Sequence, residues 1–307
     1  MSEQIVNEEA YIGRKPIPGW NLIYSGKVHD LYVPASQRWH AGAQTLLIVA
    51  TDRISIADRV VPSLIPGKGK ILTELAEWWF KRLENIVQTH VVSTDVPPEV
   101  AGRAFIVRQL QMYPVECTVA GYMTASMMEQ YKKTAAVNGI SLPGGLREGD
   151  KLPFPIFLPA RKGAVGQNDE DITFAQMEKI VGPGRARLLR QCAIDIYNYG
   201  HKVYYDAGIM LAAAKMEFGA PVDAGDEVVV LADEVLTPDC AVLWLAEDFR
   251  RGRKQTQMGK EYMRQWVENS GWDRDQGTPP PTLPQEIINT TYSRYRKVAD
   301  RVINTLN

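Results

Sequence analysis

The chain has 307 residues, of which 45% are hydrophobic and 23% are charged, and its formal net charge is −1. This is an ordinary globular composition that can bury a sizeable core, and the length predicts two domains or one large two-lobed unit. A net charge near zero gives no general attraction to nucleic acid or to an anionic membrane, and no apolar run approaches the ~20 residues that span a bilayer.

The chain begins with the acidic stretch MSEQIVNEEA, which lacks the apolar segment of a signal peptide. Cys117, Cys192 and Cys240 are far apart and no CxxC occurs, so the sequence predicts neither a disulfide framework nor a zinc site. We therefore expect a cytoplasmic protein with no nucleic-acid or membrane partner. The sequence leaves the oligomeric state open.

Strands and helices are predicted in mixed order along the first half. TLLIVA (45–50) is typical of a buried strand, and residues 70–86 space their apolar side chains as a helix does. Residues 104–113 and 115–122 are predicted to be extended, and 124–134 helical. Residues 138–171 are rich in Pro and Gly without regular periodicity, so we expect a long docked loop with a functional role.

The second half begins with a predicted capping box, Thr173 with Gln176, ahead of a short helix. A longer amphipathic helix over 185–206 is expected to stop at Gly208. The stretches IMLAAAKMEF, PVDAGD and EVVVLADEV predict a strand, a turn and a return strand, and a last helix is expected from Pro284. Because no clean βαβ alternation is present, the predicted class is α+β.

Two lysine-containing motifs are candidates for phosphate binding. In SGKVHDLY (25–32), backbone N–H groups can approach a polyphosphate and Lys27 can neutralise it, although an ordinary turn with a surface lysine explains the motif better on its own. IPGKGK (65–70) opens a helix in a way that suits an anion. A tight turn with solvated lysines explains IPGKGK equally well.

Two acidic residues of the predicted hairpin are candidates for a metal site. Glu217 in KMEFG and Asp233 in LADEV lie on adjacent strands and can converge. Two carboxylates together with a polyphosphate are suitable ligands for Mg²⁺. The alternative is a pair of edge carboxylates that face solvent, and the apolar neighbours of both residues favour the metal.

Taken together, these motifs resemble one family. SGKVHDLY, ATDRIS, IPGKGKILT, PVECTVAGYMTAS, LPGGLREGDKLPFPIFLPA, KMEFG and ADEVLTPD occur in the order found in SAICAR synthetases, and the resemblance extends over most of the chain. It implies an α+β, two-lobed fold with an ATP cleft between the lobes. We expect an N-terminal lobe over residues 1–113 that covers ATP, and a larger lobe over 114–307 that carries the metal and substrate sites.

The resemblance also implies a reaction. In the family, ATP phosphorylates the carboxylate of a phosphoribosyl imidazole, and the amine of aspartate attacks the acyl phosphate to form an amide. This chemistry needs positioning, Mg²⁺ and cations on the transferring phosphoryl group. The expected cofactors are ATP and Mg²⁺, and the expected small-molecule partners are a carboxylate and an amine.

Carried over position by position, the ATP half of the family's site is intact. The residues that correspond to ATP contacts are Ser25, Gly26 and Lys27 over the phosphates, Gln109, Leu110 and Met112 beside adenine, and Glu116 and Lys162. The residues that correspond to catalytic positions are Lys215, Glu217 and Asp233, of which Glu217 and Asp233 are expected to hold Mg²⁺.

The substrate half departs from the family pattern. The corresponding substrate positions are Ala120, Ser126, Asn168, Asp169, Ala213, Val242 and Lys260. Two arginines expected to hold the ribose 5′-phosphate are replaced, one by Ala120 and the other within Cys240-Ala241-Val242. An aspartate expected to contact the imidazole is replaced within Ala213-Ala214. Asn168 stands in place of a histidine. Near ATP, His29 stands in place of an arginine that would contact a phosphate.

Three hypotheses follow from this contrast. The first is a specialised ATP-dependent carboxylate–amine ligase for a substrate without a phosphoribosyl group, for example in natural-product biosynthesis. The second is a SAICAR synthetase of purine biosynthesis with rearranged phosphate contacts, in which cations come from His29, Arg147, Arg161 or Arg264. The third is a small-molecule kinase or an ATP-binding regulator.

Overall fold

The computed structural model describes residues 15–37, 44–164, 169–221, 224–225, 227–273 and 277–305. The elements of the first part are β1 (Trp20–Ser25), β2 (His29–Pro34), β3 (Thr45–Ala50), β4 (Ser55–Ile56), β5 (Arg59–Val60), α1 (Lys68–Leu83), β6 (Gln88–Thr89), β7 (Val91–Ser93) and β8 (Ala104–Arg108). The predicted strand at 45–50 is confirmed, and the predicted helix at 70–86 begins two residues earlier.

The remaining elements carry the larger sheet and five helices of the described residues. They are β9 (Gln111–Tyr122), α2 (Ala125–Thr134), β10 (Ala136–Val137), β11 (Ile140–Ser141), β12 (Lys151–Arg161), β13 (Glu170–Asp171), α3 (Phe174–Val181), α4 (Pro183–Asp206), β14 (Ile209–Ala220), β15 (Val230–Ala232), β16 (Ala241–Leu245), α5 (Glu261–Asn269) and α6 (Gln285–Thr305). No helix in the described part of the chain is both long and apolar enough to cross a membrane.

Two larger sheets organise the molecule. One has the strand order β1-β2-β3-β8-β7, and the other follows the path β13-β12-β9-β14-β15-β6, with β16 also paired to β14. Most pairs are antiparallel, and helices are mixed with strands along the chain, so the predicted α+β class is confirmed. The predicted boundary after residue 113 falls inside β9, two residues after that strand enters the second sheet. As a division into domains it stays a prediction.

Side chains of α1, α4, α6 and the larger sheet meet in the main core. Trp79 of α1 and Tyr204 of α4 are fully buried, with ring centroids 5.3 Å apart. The start of α1 lies very close to β3: a Cβ added to Gly69 would come within 2.5 Å of the Ala50 carbonyl oxygen. Only glycine fits this contact, and it fixes α1 against the first sheet.

The prediction of a long loop over 138–171 is wrong. KLPFPIFLPAR forms strand β12, which pairs antiparallel with β9. Proline lacks the N–H that pairing between strands needs. Pro153 and Pro155 lie between Lys151 and Ile156, where the regular pairing with β9 is interrupted. The prolines therefore mark a bulge in a strand and not a loop.

Several local predictions are confirmed. Thr173 and Gln176 form the reciprocal capping box at the start of α3, and Gly208 adopts a positive φ of 71° just after α4. Strands β14 and β15 form the predicted hairpin, although β15 is shorter than expected. The last helix begins at Gln285, directly after Pro284.

Candidate active site

The register of three strands places the predicted acidic residues together. Glu217 on β14 is opposite Glu116 on β9 and opposite Ala232 on β15, so Asp233 follows immediately beyond the paired strand. Lys162 forms an ion pair with Glu217, and Lys215 Nζ donates to Glu116 Oε1 over 2.7 Å. The structure thus brings five predicted site residues into one cluster of three carboxylates and two lysines.

Burial and neighbouring charges have opposite effects on the pKa values in this cluster. Burial and the negative charge of Asp233 raise the pKa of Glu217 to about 7, although Lys162 works in the opposite direction. For Lys162, burial lowers the pKa, but the charge and hydrogen bond of Glu217 outweigh burial and leave the pKa raised. A divalent cation between the two carboxylates would relieve their repulsion.

The donor set fits Mg²⁺ shared with a ligand. Among the described residues, no group of three or more His, Cys, Asp or Glu side chains is arranged to hold a metal ion. Glu217 and Asp233 supply two hard carboxylates, and Mg²⁺ is commonly held by one or two carboxylates together with substrate phosphates. The raised pKa of Glu217 beside Asp233 is consistent with such a site.

The β1–β2 hairpin carries the three predicted phosphate-loop residues. Ser25 Oγ donates to Asp30 Oδ1 and accepts from Arg53 Nη1, both over 2.7 Å. Lys27 Nζ lies 2.5 Å from Asp58 Oδ1. The Ser25 hydroxyl is therefore engaged by a buried Arg53–Asp30 ion pair, while Gly26 closes the hairpin by donating its N–H to the His29 carbonyl over 2.8 Å.

His29 joins this hairpin to the acidic strand end. Its Nδ1 lies 3.5 Å from Asp233 Oδ1, and its Nε2 lies 3.2 Å from Glu234 Oε1. Burial lowers the pKa of His29, but Glu234 and Asp233 outweigh burial and raise it. Burial raises the pKa of Glu234, yet the adjacent His29 and Lys68 bring it down to about 2. A histidine–carboxylate contact therefore connects the two sides of the nucleotide half.

The predicted adenine-side linker leads into β9 and lies close beside β14. A Cβ on Gly219 would come within 2.9 Å of the Gln111 carbonyl oxygen and 3.0 Å of Leu110 Cβ. Gly219 lies two residues beyond Glu217, so the linker that contains Gln109, Leu110 and Met112 borders the acidic cluster. The structure is consistent with the predicted placement of this linker beside a nucleotide.

The lysines of IPGKGK do not form a phosphate site. Lys68 is buried, with its Nζ 2.7 Å from Asp239 Oδ2. The start of α1 is occupied by the chain's own carboxylate, because Gly69 donates its N–H to Asp52 Oδ1 over 3.0 Å. The tight-turn interpretation is therefore favoured, except that Lys68 is buried and paired, and is not solvated.

A cavity of about 560 Å³ continues from the acidic cluster. Five of the predicted substrate residues line it: Ala120, Ser126, Ala213, Val242 and Lys260. The register explains the arrangement, because Ala213, Lys215 and Glu217 on β14 are opposite Ala120, Thr118 and Glu116 on β9. Alternate residues share one face of a sheet, so this face runs from two acids to two alanines over roughly 13 Å.

The two ends of the cavity differ in polarity. Ala120, Ala213, Ala241 and Val242 form an apolar wall where the family carries arginines and an aspartate. Positive charge comes from Lys133, Lys215, Lys260 and Arg264. Three of these cations are paired with carboxylates that also line the cavity, namely Glu129, Glu116 and Glu261, and Asp171 and Asp239 add further negative charge. Burial lowers the pKa of Lys260, and the charges of Arg264, Lys68 and Lys215 add to that effect, with only Asp239 opposing. Such crowded cations favour the binding of an anion.

Of the two remaining predicted substrate residues, one is absent from the described lining of this cavity and the other is outside the described part of the chain. Asp169 is absent from the described lining, and its Oδ1 accepts the N–H of Gly163 over 2.9 Å. Its charge nevertheless acts on Lys215. Asn168 lies outside the described residues. The roles of both residues stay predictions.

The structure also shows which of the four residues predicted to replace the lost arginines lies at the cavity. Arg264 lines the cavity, whereas Arg147 borders a separate surface groove and Arg161 pairs with Glu170. His29 is engaged with the acidic strand end. Of these four candidates, Arg264 is therefore the one that lines the cavity, where its Nη1 lies 3.3 Å from Glu261 Oε2.

Sequence reasoning assigned no role to several residues that support the site. Arg53 and Asp30 fix the β1–β2 hairpin, and Glu234, Thr237 and Asp239 form a buried polar group behind the cavity. The strings ATDRIS and ADEVLTPD already contained most of these residues. Most of their roles were not visible because the partners lie far away in the sequence, whereas Thr237 contacts Glu234 and Asp239 within its own turn.

Comparison with known proteins places the chain. The sequence profile described as SAICAR synthetase matches residues 22–279. The phosphoribosylaminoimidazole-succinocarboxamide synthase of Streptomyces griseus is 43% identical over 286 residues, which cover 91% of this chain and 92% of that protein. The protein of the same name from Thermobifida fusca is 41% identical over 292 residues, which cover 93% of this chain and 92% of that protein.

Solved structures agree with the sequence comparison. The SAICAR synthase of Saccharomyces cerevisiae in complex with SAICAR has a TM-score of 0.80 and 32% identity, and the match covers 95% of this chain and 98% of that chain. A type-2 SAICAR synthetase in complex with ADP, at 22% identity and a TM-score of 0.64, shares the fold. The predicted two-lobed SAICAR synthetase fold is thereby confirmed.

These relatives decide between the hypotheses at the level of reaction class. They support an amide-forming ligase, and they give no support to a kinase or a regulator. They also favour the hypothesis of a SAICAR synthetase with rearranged contacts over that of a specialised ligase with a different substrate. The chain therefore belongs to the SAICAR synthetase family, whose members are ATP- and Mg²⁺-dependent ligases that form a C–N bond.

Proposed function

We propose that this chain catalyses the SAICAR synthetase reaction of purine biosynthesis, with the substrate phosphate held by cations that differ from the family's two arginines. The observation that carries this proposal is the cavity that leads away from the acidic cluster, because it offers positive charge as well as an apolar wall. The identity to enzymes of this name, above 40% over most of the chain, supports the same reaction.

On the nucleotide side, each residue has a defined task. Glu217 and Asp233 would hold Mg²⁺, which neutralises charge on the transferring phosphoryl group when it is bound. Lys162, already paired with Glu217, would contact the same phosphate oxygens, and Lys27 would exchange its ion pair with Asp58 for a phosphate. Lys215 lies between the acidic cluster and the cavity, where it can stabilise negative charge as the acyl phosphate forms.

On the substrate side, the carboxylate of the imidazole lies near Lys215 and the ribose phosphate lies against Lys260 and Arg264. A charge-assisted contact contributes about 1.5–3 kcal/mol, so two such cations offset much of what the lost arginines supplied in the family. The amine of aspartate enters the same cavity and attacks the acyl carbon, and phosphate leaves as the C–N bond forms.

The direct test is turnover of the family's three substrates. Purified protein receives MgATP, the imidazole carboxylate ribonucleotide and aspartate, and both ADP and the amide product are quantified. We expect product that requires all three substrates. ADP release without aspartate and without amide would contradict a ligase, and no release at all with these substrates would contradict the proposed substrate.

The specialised ligase remains a second candidate because of one specific observation. Ala120, Ala213, Ala241 and Val242 form a continuous apolar wall that suits a carboxylate substrate without a phosphoribosyl group. In that case, aromatic or aliphatic carboxylates would be activated more efficiently than the ribonucleotide. A screen of such acids for amine-dependent ADP release distinguishes the two candidates.

The cytoplasmic location and the division into lobes at residue 113 likewise remain proposals.

A further inference from the structure

A buried polar chain runs from the nucleotide hairpin to the wall of the substrate cavity. It begins at His29, whose Nε2 lies 3.2 Å from Glu234 Oε1. The other oxygen of this carboxylate, Oε2, accepts the hydroxyl of Thr237 over 2.6 Å. The Thr237 hydroxyl in turn accepts the N–H of Asp239 over 3.3 Å. Asp239 and the next residue, Cys240, line the cavity.

The far end of this chain is anchored by two helices. Lys68 at the start of α1 lies 2.7 Å from Asp239 Oδ2, and Tyr295 of α6 donates to Asp239 Oδ1 over 2.5 Å. Lys68 and Tyr295 are almost wholly buried. The turn that walls the cavity therefore has a fixed base, and Glu234 is the group that connects it to the hairpin.

The backbone around Glu234 gives an independent reason for these contacts. Asp233 and Leu236, on either side of it, both have positive φ values, 56° and 54°. Such conformations are unfavourable for residues other than glycine, above all for leucine, and persist only where surrounding contacts hold them. The position of the proposed metal ligand Asp233 thus depends on what holds its neighbour.

We propose that Glu234 is a positioning residue that couples the nucleotide hairpin to the substrate-cavity wall. The inference rests on the proposed function in one respect, since it takes the hairpin and Asp233 as the MgATP side and the cavity as the carboxylate side. Ordering one side orders the other through Thr237. MgATP and the carboxylate substrate therefore tighten each other's binding, and this effect is reciprocal.

Three variants test the coupling. Thr237→Val removes the hydroxyl that holds Glu234 and keeps the side-chain shape, whereas Thr237→Ser keeps the hydroxyl. Thr291→Val is the matched control, because Thr291 is equally buried and its hydroxyl donates only to the Ile287 carbonyl within α6. Thermal unfolding is measured for all three, and we expect similar losses of stability for the two valine variants.

Binding separates positioning from mere stability. The dissociation constant of a non-hydrolysable MgATP analogue is measured by calorimetry, with and without the imidazole carboxylate ribonucleotide. For Thr237→Val we expect weaker analogue binding by about tenfold, equivalent to about 1.4 kcal/mol, and no tightening by the second ligand. Thr237→Ser and Thr291→Val should bind as the wild type does.

The outcomes are distinguishable from failure of the proposed function. If the ribonucleotide does not bind to the wild type, the proposed substrate is wrong, and the analogue measured alone still tests Glu234. Unchanged analogue affinity in Thr237→Val would overturn the positioning role. Equal weakening in Thr291→Val would overturn it as well, because general destabilisation would then explain the effect. With the ribonucleotide bound, the same mutual tightening in Thr237→Val as in the wild type would also overturn the coupling.

Discussion

The two ends of the cleft differ although they share the same two strands. At the nucleotide end, Glu116 and Glu217 are paired with lysines. At the substrate end, four residues away on each of the antiparallel strands, Ala120 and Ala213 present only methyl groups. Alternate positions on one strand face contribute separately to a cavity. One set of contacts on that face can therefore be kept while another set changes. The family's reaction class depends on the first end, and substrate choice depends on the second.

The largest effect is expected when charge is removed from the nucleotide end. Glu217→Gln keeps the shape of the side chain and removes one carboxylate from the proposed Mg²⁺ site. We expect turnover to fall about 10²–10³-fold, since charge stabilisation at a transferring group has this magnitude. The measurement is ADP release at saturating substrates.

The matched control is Glu170→Gln, which changes an exposed carboxylate on β13. We expect it to retain wild-type turnover. If Glu217→Gln keeps activity within tenfold of the wild type, the metal assignment is wrong.

A second change tests whether cations have replaced the lost arginines at the substrate end. Arg264→Ala removes a guanidinium from the cavity lining. We expect KM for the imidazole carboxylate ribonucleotide to rise about 10–100-fold, as one charge-assisted contact is lost. KM for MgATP should be unchanged, because Arg264 belongs to the substrate end.

Arg161→Ala provides the comparison for this variant, since Arg161 pairs with Glu170 outside the cavity. Steady-state kinetics with each substrate varied in turn would give both KM values. Equal effects of the two substitutions would show that Arg264 has no special role.

The smallest predicted effect concerns support beneath the nucleotide end. Burial lowers the pKa of His90 to about 4, and the charge of His29 adds to this. Between pH 6.5 and 4 the unfolded chain binds a proton at this position and the folded chain does not, so stability falls as the pH drops through that window. At pH 5.5 the cost is about 1 kcal/mol relative to neutral pH.

His90→Gln removes this contribution because glutamine does not titrate. Urea unfolding at pH 7.5 and pH 5.5 should therefore show a smaller acid-induced loss in the variant than in the wild type. Parallel losses in the two proteins would contradict the assignment, whatever the absolute stability of the variant.

Local features of the fold were predictable from the sequence. The capping box of Thr173 and Gln176, the stop at Gly208 and the β14–β15 hairpin depend on neighbouring residues, and the structure confirms them. Strand β12 was missed because its prolines resemble those of a loop. Its conformation is determined by pairing with β9, about 40 residues away in the chain.

The site was predictable where motifs carried it and not where distant partners decide it. Glu217 and Asp233 were identified from adjacent strands of one hairpin. The burial of Lys68 was not, because its partner Asp239 lies far along the chain. The engagement of the Ser25 hydroxyl by Arg53 is a similar case. The replacement of the substrate-end arginines was visible in the sequence, but the cations that surround the cavity became apparent only in three dimensions.

The central claim is that this chain still recognises a phosphorylated substrate despite its apolar wall. The most direct measurement compares kcat/KM for the imidazole carboxylate ribonucleotide with that for the matching ribonucleoside, at saturating MgATP and aspartate. We expect a preference for the ribonucleotide of at least about 100-fold, because one or two charge-assisted contacts contribute a difference in binding of that size. Equal efficiency, or a preference for the nucleoside, would contradict it and would support a ligase for an unphosphorylated acid.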